Sequence, residues 1–217
     1  PHVDFYIPDR YKEGYGISER GVRFAAENEF SLVIALDCGI KAIDKVRLAK
    51  ELGVDFIICD HHTPGATLPP AVAVLDAKRE DCQYPYKELS GCGVGFKLIQ
   101  AYAKTHGIDE SSLYPYLDLL VVSIAADIVP ITGENRILAY YGLDRINNTP
   151  RPGLKALILQ AKVEKEIQIS DIVFKIGPRI NASGRLEHAQ ASVELLISSN
   201  LDEAIERAKL VDEVNST

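Results

Sequence analysis

Asp60, His61 and His62 stand in a row directly after the apolar run Val54-Asp55-Phe56-Ile57-Ile58-Cys59. A carboxylate and two imidazoles set against a core are stable there only when they are paired or bound to metal, because burying a lone ionisable group is strongly unfavourable. The triplet therefore reads as part of a metal site. A second carboxylate, Asp37, ends another apolar run, Ser31-Leu32-Val33-Ile34-Ala35-Leu36. A third, Asp127, lies in an apolar stretch just before the helix-stopping Pro130, where its plainer reading is a polar helix end facing solvent. Arg179, Asn181, Ser183 and Arg185 crowd into the run Gly177 to Arg185. Two guanidinium groups there can fork onto phosphate oxygens, although a solvated interhelical loop is the commoner fate of such residues taken singly.

Carboxylates and an imidazole gathered in this way suit divalent ions. A pair of metals about 3.5 to 4 Å apart can activate water and neutralise the oxygens of a phosphodiester during in-line displacement. Such a pair calls for more carboxylates than Asp37, His61 and Asp127 supply with their neighbours, so further ligands are expected upstream of Pro1.

The elements that must position these residues read as strands alternating with amphipathic helices. Strands are expected over 3–7, 31–36, 54–59 and 72–75, with helices over 18–28, capped by Ser18, and over 40–52, closed by Gly53. Strands apolar along their whole length imply a parallel β-sheet with helices on both faces, an α/β fold. In such sheets ligands gather at the carboxyl ends of the strands, the shared address of Asp37, Asp60, His61 and His62. The glycines at 91, 93 and 95 read as a turn before a helix over 96–106, either cradling phosphate or packing closely against the sheet. A long apolar helix is expected over 113–129. A mainly helical portion follows, with helices over 136–147, 153–161, 171–175, 189–198 and 201–214. The expected division is 1–130 for the α/β catalytic domain and 131–217 for its helical continuation.

Composition narrows the function classes. The chain has 217 residues, 47% of them hydrophobic, and no apolar run approaches the roughly 18 to 20 residues that cross a bilayer. Its net charge of -7 argues against a surface coated for nonspecific nucleic-acid binding, yet bound divalent ions can reverse the sign within a cleft. Cys38, Cys59, Cys82 and Cys92 lack CxxC spacing and are expected as reduced thiols; with no signal segment, a cytoplasmic location is expected.

Five motifs in fixed order then carry a resemblance: Asp37-Cys38-Gly39-Ile40, Asp60-His61-His62, Gly91-Cys92-Gly93-Val94-Gly95-Phe96, Ala126-Asp127-Ile128-Val129-Pro130, and Gly177-Pro178-Arg179-Ile180-Asn181-Ala182-Ser183-Gly184-Arg185. Together they resemble the DHH phosphoesterase superfamily and, within it, the RecJ exonucleases. Each is weak alone, the bare triplet especially; their shared order from Asp37 to Arg185 is specific.

The resemblance implies a 5′ to 3′ exonuclease of single-stranded DNA, dependent on Mn2+ or Mg2+ in a two-metal site and acting in recombination and repair. Helicase or single-strand-binding protein would be its partners, and no membrane is implied. By position, Asp37 would bridge the metals, His61 and Asp127 would ligate, and Asp60 would ligate or orient a ligating imidazole. His62 would face the scissile phosphate, and Arg179, Asn181, Ser183 and Arg185 would form a phosphate-binding loop. The segment from Tyr6 to Gly16 is similar to the family's stretch ahead of Asp37. The family's first Asp-x-Asp motif would precede Pro1, and its second catalytic domain would follow Thr217. The chain is therefore expected to be a catalytic core that is inactive, or nearly so, by itself. Two rivals are a phosphodiesterase of short oligonucleotides or cyclic dinucleotides, and a vestigial DHH scaffold or DNA-binding module.

Overall fold

The structure, a computed structural model, describes residues 2–9, 11–183 and 189–215. It divides into two compact units, Pro1–Gly107 and Ile108–Thr217.

In the first unit the helix Glu19–Glu27 (α1) begins at Ser18, whose hydroxyl accepts the Gly21 N–H at 2.9 Å, and it buries Val22 and Ala25. Strand Leu32–Leu36 (β1) pairs in parallel with Asp55–Cys59 (β2), which pairs in parallel with Ala73–Leu75 (β3). Between β1 and β2 runs the helix Ile43–Glu51 (α2), after which Gly53 turns the chain at a φ of 78° that a side chain would resist. Val22, Ala25, Val46 and Ala49 of α1 and α2 close over Ala35, Phe56 and Ile58, forming the core on one sheet face. Alternation along β1 turns Leu36 to the other face, and there the helix Gly91–Thr105 (α3) packs, with Gly95 against Leu36.

The sequence pattern marks 3–7 as a strand, but no strand forms among the described residues 2–9. A strand exists only through a ladder of partners, which alternation alone cannot supply. Instead the Tyr6 ring packs at a tilt against Phe24, and its hydroxyl donates to Glu13 Oε2 at 2.6 Å, where the Ser18 hydroxyl also donates. The glycine-rich run likewise differs from the expected turn. It forms the first turns of α3, with Ser90 as N-cap accepting the Gly93 N–H at 3.1 Å.

The second unit is helical: a 3-10 segment Glu110–Tyr116, then Leu117–Ala126 (α4), Gly133–Asn148 (α5), Pro152–Gln160 (α6), Ile169–Asp171 (α7), a π-helical segment Ile172–Ile176, Gly177–Ser183 (α8), Ala189–Ile197 (α9) and Leu201–Asn215 (α10). The long helix expected from 113 thus tightens into 3-10 geometry around Pro115. The loop expected from 177 is helical through Ser183. Leu120, Ile124, Leu154, Leu157, Ile172, Ile176 and Leu195 are fully buried and form the unit's core. Among the described residues no helix is long and apolar enough to cross a membrane.

One polar pair locks α4 to the start of α6. Asp118 is 1% exposed, and Arg151 donates to it from its backbone N–H at 3.1 Å, from Nε at 3.0 Å and from Nη2 at 2.8 Å. Removing one member strands the other in low dielectric. Asp118→Ala is therefore expected to destabilise this unit by about 3 to 5 kcal/mol in chemical denaturation; a loss below about 1 kcal/mol would place the pair at the solvated surface.

Candidate metal centre

β1 and β2 end side by side, so the residues that follow them emerge at one edge of the sheet. Asp37 N–H still donates to the Cys59 carbonyl at 2.8 Å, and Asp60 N–H donates to the Leu75 carbonyl at 3.0 Å. Past those bonds the backbone breaks from the ladder: Asp37 sits at a φ of 61°, a left-handed conformation that aspartate tolerates better than most residues.

Asp60 is 1% exposed and its carboxylate is saturated. Oδ2 accepts the Ile40 N–H at 2.8 Å; Oδ1 accepts the N–H groups of His61 and His62 at 2.8 and 3.2 Å and faces His62 Nδ1 at 2.7 Å. Burial opposes its charge, but the Ile40 N–H, the His62 ring and the two backbone N–H groups outweigh burial and hold the carboxyl below the usual range. An ionised Asp60 only accepts, so His62 carries its proton on Nδ1 and turns Nε2 outward. The ring is half exposed.

His61 is set differently. Its Nδ1 lies 3.1 Å from the Leu89 carbonyl just before α3, and a carbonyl only accepts, so Nδ1 bears the hydrogen. That leaves Nε2 facing Asp37 Oδ1, 3.1 Å away. Oδ1 is buried and has no hydrogen-bond partner among the described residues. When the ring is neutral the two atoms are both lone-pair donors, set close enough to share one cation. Ligand atoms of Asp37, His61 and His62 all lie within 4.8 Å of one another, and the mixed oxygen and nitrogen donors suit manganese as well as other divalent ions. The residues present therefore fit a divalent cation.

α3 completes the wall. A Cβ at Gly91 would stand 2.1 Å from Asp37 Oδ1 and 2.5 Å from its Cβ, so the glycine clears space for the carboxylate. Close packing is the role the structure gives this residue. Gly→Ala inside a helix ordinarily stabilises by about 0.5 to 1 kcal/mol. Here the overlap is expected to reverse the sign, with Gly91→Ala losing about 1 to 3 kcal/mol in thermal unfolding and Mn2+ affinity together. A variant at least as stable as the wild type, with unchanged affinity, would refute this close approach.

β3 contributes a third strand-end carboxylate, Asp76, which sequence reading left unassigned. It is 3% exposed and accepts the Lys78 N–H at 2.7 Å. Burial, reinforced by the charge of Asp60, pushes its carboxyl above the usual range. The four cysteines are free thiols. Burial and the nearby Asp60 raise the fully buried Cys59 to about 11, so it is expected to resist a thiol reagent at neutral pH until the unit unfolds; rapid labelling of native Cys59 would contradict its packing.

Asp127 belongs to the second unit. It caps the C-terminus of α4, exposed, and is followed by Ile128 at a φ of 54°, an outlier for a β-branched residue. A carboxylate at a helix C-terminus opposes the helix dipole, and the positive φ of the residue after it is a separate local strain. In the same unit Arg179 Nη1 donates to the Lys175 carbonyl at 2.7 Å, and Asn181 is exposed on α8. The backbone of Ser183 ends α8, and Arg185 lies outside the described residues.

Comparison with known proteins follows the same lines. Residues 1–124 match the DHH family, N-terminal domain. The chain is 45% identical over 214 residues to the single-stranded-DNA-specific exonuclease RecJ of Bacillus subtilis, covering 98% of this chain and 26% of that protein. To the same-named exonuclease of Escherichia coli it is 37% identical over 227 residues, covering 100% of this chain and 39% of that protein. The chain thus spans well under half the length of these relatives. Among solved structures, exonuclease RecJ bound to manganese superposes with a TM-score of 0.85 at 34% identity, over 97% of this chain and 53% of that one. RecJ of Thermus thermophilus in complex with Mn2+ superposes with a TM-score of 0.80 at 32% identity, over 91% of this chain and 29% of that one.

Proposed function

The chain belongs to the DHH family, and from that membership we propose that it forms the catalytic core of a metal-dependent 5′ to 3′ exonuclease of single-stranded DNA. The observation that carries the reading is the convergence of Asp37, His61 and His62, with His61 Nε2 and Asp37 Oδ1 3.1 Å apart. Asp37 and His61 would hold the ion, Mn2+ or Mg2+, with Asp127 as a further ligand. A divalent ion bound there supplies Lewis acidity toward a phosphodiester and its attacking water.

The chain's own residues do the rest. Asp60 holds the His62 ring and ties the Ile40 backbone to the same carboxylate, so the β1 and β2 ends are fixed to each other. His62 would present Nε2 to the scissile phosphate; in the imidazolium form, with a proton on each ring nitrogen, Nε2–H would donate to a phosphate oxygen or pass its proton to the departing one, leaving the neutral ring with its hydrogen on Nδ1. The Leu89 carbonyl fixes the tautomer of His61. Arg179, Asn181, Ser183 and Arg185 would hold phosphate oxygens of the strand. On this reading 1–130 is the catalytic α/β domain and 131–217 its helical continuation. Action in the cytoplasm beside a helicase or single-strand-binding protein belongs to the same proposal.

The test grafts this chain into the Bacillus subtilis relative in place of its matching segment. Mn2+-dependent release of nucleotides from the 5′ end of a single strand, with duplex spared, is expected. A folded, Mn2+-binding chimera that cleaves only dinucleotides would point to a short-substrate phosphodiesterase, and one that cleaves nothing would point to a scaffold.

A further inference from the structure

Phe174 is 77% exposed, whereas Phe56 and Phe96 are 3% and 6% exposed. It is the most exposed phenylalanine among the described residues, and its position is unusual. It lies in the π-helical segment Ile172–Ile176, where the Gly177 N–H reaches back five residues to the Ile172 carbonyl. Pro178 brings no N–H for the carbonyl of Phe174, so an ordinary helical bond is unavailable at that step. Such widened turns are rare and recur at functional sites.

The segment is held firmly. Ile172 and Ile176 are fully buried beneath it, Lys175 Nζ pairs with Asp171 Oδ1 at 2.8 Å, and Arg179 Nη1 donates to the Lys175 carbonyl at 2.7 Å. An aromatic ring is thus exposed to solvent on a helical element, followed in sequence by two cations, Lys175 and Arg179. Pro178 and Asn181 are exposed along the next turns. An exposed apolar ring followed within seven residues by two cations and an amide offers the chemistry of one nucleotide: base, phosphate and base edge.

We infer that Phe174 is a stacking platform for one unpaired nucleobase of the bound single strand, with Lys175 and Arg179 neutralising the adjoining phosphates. The inference rests on the single-strand reading proposed above. Only an unpaired base offers its face to a protein ring, so the platform would contribute to discrimination against duplex.

The chain contains no tryptophan, so Phe174→Trp creates a single indole that can be excited selectively over the tyrosines. Titration with a fluorescein-labelled oligothymidylate is expected to quench its emission in parallel with the rise in oligonucleotide anisotropy. An abasic oligonucleotide of equal length should bind with little quenching. Phe174→Ala should weaken binding of the thymidylate about tenfold and leave abasic binding unchanged. A rise in anisotropy without quenching, or equal losses on both oligonucleotides, would overturn the platform while leaving single-strand binding in place. No anisotropy change with wild-type protein would remove the single-strand reading, and the platform with it.

Discussion

Asp37→Asn and His61→Ala are each expected to weaken Mn2+ binding by at least about 100-fold, measured by calorimetry, with little change in fold. Groups one layer behind a metal ligand already account for losses of about 10 to 100-fold, so removing a ligand should exceed that range. Both substitutions act on one contact, the 3.1 Å approach of His61 Nε2 to Asp37 Oδ1. Without either partner the pair of donor atoms at the strand ends is gone. The two losses should therefore not add: the double variant should bind little worse than either single one. Additive losses would mean that the two residues serve different ions.

His62→Ala should behave in the opposite way. Its Nε2 faces outward while Nδ1 is held by Asp60 at 2.7 Å, an arrangement for handling a proton. In the grafted relative, kcat is expected to fall about 10²- to 10⁴-fold, the usual span for a lost general acid or base. Mn2+ affinity should change far less than in His61→Ala. Asp60→Asn should follow His62→Ala in kcat, because an amide cannot accept from all of the donors that converge on that carboxylate. It should also lower stability, since the Ile40, His61 and His62 N–H groups depend on it. A His62→Ala variant that loses manganese as completely as His61→Ala would make His62 a ligand.

Much of this site was legible because parallel sheets place reactive residues at strand ends, and Asp37 and Asp60 each follow an unbroken apolar run. The parallel sheet and the gathering of Asp37, His61 and His62 follow from that pattern. What was hidden is tertiary. Leu89 sets the His61 tautomer through its carbonyl, which leaves no mark on residue type. Gly91 clears room for Asp37, yet three glycines in five residues look like a turn, whereas a helix capped by Ser90 starts there. Residues 3–7 alternate like a strand but find no ladder among the described residues. Gly177-Pro178 reads as a breaker, but the π-turn beneath it absorbs the missing N–H and the helix continues.

The central claim is that the neutral His61 ring turns an Nε2 lone pair toward Asp37 to receive a divalent ion. Imidazole nitrogen NMR tests it on this chain, whose five histidines can be assigned by substitution. The predicted spectrum has His61 protonated on Nδ1, with an unprotonated Nε2 signal that broadens first as substoichiometric Mn2+ is added and stays sharp in Asp37→Asn. A His61 ring protonated on Nε2, or one untouched while Mn2+ broadens other histidines, would contradict the assignment.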